Sequence, residues 1–262
     1  MKTSVATVIL SVAASVLFAA SSAAESGSSD TLKVMTYNLR FGELASMEEI
    51  AGFISSENPD LVALQECDWD TARERAPKQN GVKFINELAY RTGMFGIYGK
   101  SIDYKGGYYG VAILSRYPVT RMERIPLPNP DHREQRIMLV TEVEMPEGRS
   151  VKFICTHLEV SSSDARIQQV DFINGRLDGD GPVLLAGDMN STPDSPEMRQ
   201  LMSRWKNLTN DGLTYSSSHP QIKIDYIVGC PSEDIELIST EVRTGVMLSD
   251  HFPVVSEIAI KR

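Results

Sequence analysis

The chain has 262 residues, a formal net charge of -9, three cysteines and four histidines. An acidic balance without a lysine cluster argues against general attraction to polyanions. Three unpaired-looking cysteines without a C-x-x-C pair argue against a zinc site and predict buried, reduced thiols.

Met1-Lys2 precedes an apolar run from Val5 to Ala20 and the small residues Ser21-Ser22-Ala23-Ala24. This order of charge, apolar core and small residues predicts a secretory signal over residues 1–24, cleaved near Ala24, rather than a membrane anchor. A secreted or periplasmic location follows as an expectation, and no later stretch reads as a membrane span. Glu25 to Thr31 is polar and Ser/Gly-rich and reads as a flexible leader. The rest suits one domain of roughly 230 residues, large enough for a full core.

Leu32–Asn38 opens that domain as a strand. Met47, Ile50, Ala51 and Ile54 recur at helical spacing until Asn58-Pro59-Asp60 stops them. Leu61–Gln65 is a compact apolar strand, and Phe84, Ile85, Leu88 and Ala89 mark a second helix. Tyr108–Leu114 is a strand closed by Tyr117-Pro118. Arg136–Met145 and Arg149–His157 flank a Pro146-Glu147-Gly148 turn.

Ala165, Ile167, Val170, Ile173 and Leu177 predict a third helix, followed by the strand Val183–Ala186. Ser195-Pro196 is a serine cap with proline at the first helical position, and Met198, Leu201, Met202 and Trp205 give that helix its apolar face. Ile224–Val228, Ile235–Thr240 and Pro253–Ile260 complete roughly ten strands, too much β for alternating βα units and suited to two packed sheets flanked by helices.

Several of these strands carry a polar group at or near one end: Asn38, Glu66, His157, Asp188 with Asn190, Asp225, and Asp250 with His251. Each has a plain alternative. Asn38 suits a turn, Glu66 a solvated acid, Asp188-Met189-Asn190 an Asx turn, and His157 a satisfied semi-buried histidine. An acid between Ile224 and Tyr226 needs a partner. Gathered on one rim, these groups would suit a hard cation such as Mg²⁺ or Mn²⁺ and phosphoryl chemistry. Histidine with an aspartate partner could activate water.

"MTYNLRFG", "PDLVALQE", "GVAILSRYP", "THLE", "LLAGDMNSTPDSPEM", "IDYIV" and "SDHFPVV" follow one another along the chain. In order and spacing they resemble the motif series of the endonuclease/exonuclease/phosphatase superfamily, the DNase I-like fold, from Leu32 to Arg262. The resemblance implies an α/β (α+β) fold, a four-layer α/β/β/α sandwich.

It also implies roles. Glu66 would be the main Mg²⁺ ligand, helped by Asn38 and Asp250. Asp188 and Asn190 would orient the attacking water and hold the phosphate. His251, bonded to Asp225, would be general base or phosphate-stabilising imidazolium. His157 would contact the phosphate and act as general acid, and Arg136 would contact phosphate or brace the rim. "YKGGYYGVAIL" lacks the acid that some relatives place near the first histidine, so His157 needs another partner.

Arg40 and Arg116 read as salt-bridge residues. His132 and His219 read as solvated loop residues, and Tyr108, Tyr109 and Tyr215 as mostly packing. The sequence is most similar to the small bacterial metal-dependent hydrolases of the superfamily. It predicts a monomeric, metal-dependent phosphoric ester hydrolase acting on a small phosphodiester or phosphomonoester. A secreted nuclease is the alternative, so nucleic acid stays open as a partner. A sphingomyelinase-like lipid phosphodiesterase lacks its apolar docking insertion here. A non-catalytic binding protein would not be expected to keep every one of these polar groups.

Overall fold

The first strand shows how the sequence builds the molecule. In "TLKVMTYN", Leu32 and Val34 point to one side, Met35 and Tyr37 to the other, and all four are buried. A strand apolar on both faces must lie between two layers. The computed structural model describes residues 29–176, 181–231 and 233–261. The expected signal segment 1–24, the first part of the leader and Leu177 lie outside the described residues.

Twelve strands form two six-stranded sheets among the described residues. The first contains β1 (Ser29–Asn38), β2 (Leu61–Trp69), β3 (Phe95–Tyr104), β4 (Gly107–Ser115), β11 (Ile235–Val242) and β12 (Val254–Lys261), in the order β11-β12-β1-β2-β4-β3. The second contains β5 (Val119–Pro126), β6 (Ile137–Glu144), β7 (Ser150–His157), β8 (Val183–Asp188), β9 (Lys206–Asn207) and β10 (Asp225–Cys230), in the order β5-β6-β7-β8-β10-β9.

Helices α1 (Met47–Glu57) and α2 (Phe84–Thr92) cover the first sheet, and α3 (Ser163–Asn174) and α4 (Pro196–Met202) the second. Three apolar layers result. Leu61, Ile113, Leu139, Phe153, Leu184 and Ile258 belong to the core between the sheets. Met35, Ile50, Ile54, Leu64 and Phe84 belong to the core under α1 and α2, and Ile154, Val170, Leu185, Met198 and Tyr226 to that under α3 and α4. The fold is the four-layer α/β/β/α sandwich expected.

Each sheet has one parallel pair at its centre, β1 with β2 and β7 with β8. Parallel strands need a crossover, and α1 and α3 supply the two. Helix α1 starts at a capping box, in which Ser46 accepts from the Glu49 amide and the Glu49 carboxylate accepts from that of Ser46. The carboxyl ends of β1, β2, β7 and β8 therefore share a rim. Strands β10 and β12 run antiparallel to β8 and β1, so their starts lie at that rim too, with Asp225 opposite Asp188 and Val254 opposite Thr36.

Some elements differ from the sequence reading. β1 begins earlier: Ser29–Thr31, expected in the leader, pair with Ala259–Lys261, and Asp30 forms an ion pair with Arg149. Backbone pairing along β12 recruits residues whose side chains give no strand signal. β3, β5 and β9 were not expected. β3 and β5 are sheet edges, and in β5 only Ile125 is buried, so no alternating apolar pattern marks it. The thiols of Cys67 and Cys155 are buried, that of Cys230 is partly so, and all three are free, as expected.

Phe153 is fully buried between the sheets. Phe153→Ala should lower unfolding free energy by about 3–5 kcal/mol. Urea denaturation checks this, and a loss under 1 kcal/mol would mean the inter-sheet core can collapse around the gap.

Candidate active site

Asn38 is the last residue of β1 and fully buried. Its Oδ1 accepts from the Arg40 amide at 3.0 Å, and its Nδ2 donates to Glu66 Oε1 at 3.2 Å and to Asp188 Oδ2 at 3.1 Å. One amide thus links the rims of both sheets. Below it lies a polar layer. Thr36 and Gln65 of the first sheet bond each other, and Gln65 Nε2 donates to Cys155 Sγ of the second at 3.4 Å.

Glu66 is not at the end of β2, which continues to Trp69. It sits in a bulge: pairing with β4 jumps from Leu64–Ala112 to Cys67–Gly110, and Glu66 takes φ +54°. A bulge with a left-handed residue re-aims a side chain and costs backbone energy. Here the side chain is turned to Asn38. Burial, with the charge of Asp250 adding to it, pushes the Glu66 carboxyl above its ordinary range.

Asp188 ends β8 and is the point of convergence. Its Oδ2 lies 3.4 Å from His157 Nε2 and 3.7 Å from His251 Nε2, besides the Asn38 contact. Its Oδ1 accepts from the Asn190 amide at 2.8 Å, so the Asx turn is real as well. Asn190, at φ +48°, donates from Nδ2 to the Leu158 carbonyl at 3.0 Å and ties this loop to the one after His157. Burial, aided by the charge of Asp225, pushes Asp188 up to about 7.

Asp225 finds the partner its burial requires in His251, whose Nδ1 lies 2.9 Å from Asp225 Oδ2. Burial works against charging His251, yet Asp225, Asp188 and Asp250 outweigh it and push the imidazole up to about 10. His157 goes the other way: burial, with the positive charges of Arg136 and His251, holds it well below its ordinary value. The acid that the sequence around "YKGGYYGVAIL" did not offer to His157 is supplied by Asp188.

Around this centre, Arg136 is buried and pairs with Glu134 at 2.8 Å. Arg40 pairs with Asp250 and Glu43, at the rim. Arg116 pairs with Asp60, at the opposite end of β2. His132 and His219 are exposed in loops, Tyr109 is buried, and Tyr108 is partly exposed.

Tyr215 does more than pack. Its ring lies 4.8 Å from that of His251, tilted by 47°. The segment around it was missed from sequence. Thr214 Oγ1 accepts from the amides of Ile224 and Asp225, and Ser217 bonds the carbonyls of Ser249 and Asp250 through its hydroxyl and amide. The polar run "LTYSSS" was the available signal, but its partners are backbone groups, which side-chain identity does not reveal.

Asp188, Asp225 and His251 offer donor atoms within 4.8 Å of one another, a geometry that could hold a cation. With Nδ1 of His251 committed to Asp225, the trio is better suited to holding a proton. Glu66 fits a cation better. Its partly buried carboxyl has only a neutral amide as hydrogen-bond partner among the described residues, and Asp250, whose charge acts on it, and the Asn38 amide oxygen are further hard donors.

The family model described as "Endonuclease/Exonuclease/phosphatase family" matches residues 35–251, a span that takes in all these groups. The chain belongs to the endonuclease/exonuclease/phosphatase family. Escherichia coli K12 YbhP is similar to it, 24% identical over 250 residues, with 87% of this chain and 96% of that protein covered.

A Bacteroides thetaiotaomicron endonuclease/exonuclease/phosphatase family protein shares the fold with TM-score 0.74 at 17% identity, covering 90% of this chain and 97% of that one. A mannosyl-6-phosphatase from the same organism does so with TM-score 0.69 at 18% identity, covering 87% and 99%. The family is one of phosphoester hydrolases, and this member brings every expected site residue to one rim.

The Asp225–His251 pair has a pH signature. The folded value of His251, about 10, exceeds the unfolded reference of about 6.5. The stabilisation from this pair is therefore complete below about pH 6.5 and lost as pH rises through about 10. Asp225→Asn should move the His251 titration several pH units down, read from its imidazole NMR signals, and flatten stability across that window. An unshifted titration would show that Asp225 does not hold the charge.

Proposed function

We propose that this protein is a secreted or periplasmic, Mg²⁺- or Mn²⁺-dependent phosphoesterase that hydrolyses a small phosphomonoester or phosphodiester by direct attack of water on phosphorus. The observation that carries this reading is the convergence on Asp188 Oδ2 of Asn38, His157 and His251, with Glu66 one hydrogen bond away. Location rests on the apolar segment Val5–Ala20.

Glu66, Asp250 and Asn38 would hold the cation, which supplies charge neutralisation at phosphate and leaving oxygens when bound. His251, charged through Asp225, presents Nε2–H to a phosphate oxygen. This favours the imidazolium role over that of general base. Asp188, with its carboxyl near 7, takes the proton of the attacking water. Asn190 fixes the loop carrying Asp188 through the Leu158 carbonyl. The new oxygen–phosphorus bond forms as the bond to the leaving oxygen breaks, without a covalent enzyme intermediate; the leaving oxygen takes a proton from solvent, and Asp188 releases the one it received. His157, neutral beside Asp188, contacts the phosphate; its low proton affinity makes it a poor general acid. The charge of Arg136 helps keep His157 neutral and favours the charged form of Glu66.

The net charge of -9 favours a small substrate over a long nucleic acid. A nuclease remains the second reading, since the family name includes both activities. A panel of p-nitrophenyl phosphate, bis-p-nitrophenyl phosphate, inositol phosphates, sphingomyelin and plasmid DNA, each with Mg²⁺, separates them. Glu66→Gln and His251→Ala should each lower kcat by about 10³-fold or more with unchanged circular dichroism. Full activity of His251→Ala, or activity that survives EDTA, would defeat the mechanism.

A further inference from the structure

Arg40 is held by three partners. Its amide donates to Asn38 Oδ1, its Nε to Glu43 and its Nη1 to Asp250. Its backbone opens a left-handed turn, with φ +44° at Arg40, +42° at Phe41 and +65° at Gly42. Glu43 is itself fixed by two bonds from Arg75, at 3.1 and 2.8 Å. A ladder of alternating charge, Asp250–Arg40–Glu43–Arg75, thus runs outward from the rim.

Asp250 therefore has two claimants. One is the guanidinium that already touches Oδ2. The other is the cation that Glu66 and Asp250 would hold under the function proposed above, on which this inference rests. A guanidinium and a divalent cation repel each other, and each satisfies the same carboxylate. The ladder makes the exchange cheap for the arginine, because Glu43 keeps it bound when Asp250 turns away.

We propose that Arg40 is a positioning residue that competes with the divalent cation for Asp250, weakening cation affinity and acting as the counter-charge of the acidic rim when the cation has left. Its side chain is 28% exposed and that of Asp250 19%, so the contact is partly shielded and the competition is not erased by solvent.

The test is Mn²⁺ binding to EDTA-stripped protein by calorimetry, a readout independent of turnover. Removing one positive charge at this range should tighten binding about tenfold in Arg40→Gln. The stripped variant should melt below the stripped wild type, and the gap should close with saturating Mn²⁺. Equal or weaker Mn²⁺ binding by Arg40→Gln overturns the competition and makes Arg40 a clamp that orients Asp250. If Arg40→Gln does not fold, Arg40→Lys carries the same test. It keeps the charge but cannot fork between Glu43 and Asp250, so binding should tighten by a smaller factor, and no tightening overturns the proposal. Wild type that binds no Mn²⁺ overturns both this and the cation-dependent function, whereas wild-type binding with an unresponsive Arg40 overturns this alone.

Discussion

The amide of Asn38 joins what the fold would otherwise keep apart. It donates to Glu66 in the first sheet and to Asp188 in the second. Apolar packing between two sheets fills space but does not orient polar groups, because apolar contact has no direction. Hydrogen bonds of fixed length do have direction. The Asn38 bridge, with Gln65 and Cys155 beneath it, sets the two rims in register at the one level where acids and imidazoles must meet. The parallel strand pairs bring the groups to the same edge, and the bridge fixes them against one another.

Charge at this edge is balanced locally. Asp225 lies against His251, Asp250 against Arg40, and Glu66 against nothing but an amide. The unequal treatment of chemically similar carboxylates is what differentiates their roles. Asp225 is committed to a buried imidazole, whereas Glu66, with no cationic hydrogen-bond partner among the described residues, and Asp250, whose guanidinium also holds Glu43, are open to a cation.

Much of this was legible in the sequence. Apolar runs that end in acid, amide or histidine revealed the rim, because a strand buried on both faces can present polar chemistry only where it emerges. What stayed hidden depended on backbone geometry. Glu66 read as a strand terminus, but β2 runs on past it, and only the bulge with φ +54° turns it toward Asn38. The buried positions of edge strand β3 are Gly99 and Ser101, and edge strand β5 has one, Ile125, so neither shows a buried apolar alternation. Thr214 and Ser217 act through backbone groups of other loops and strands, and side-chain identity says little about such contacts. The partner of His157 was sought in nearby sequence and came from Asp188, a register neighbour on the adjacent strand.

Ser29 pairs with Lys261 at one end of the ten-residue strand β1, and Asn38 closes the other end. The two ends of the described chain therefore emerge side by side at the pole facing away from the chemistry. The terminal pairs of β1 and β12 can therefore fray without moving the residues at the rim.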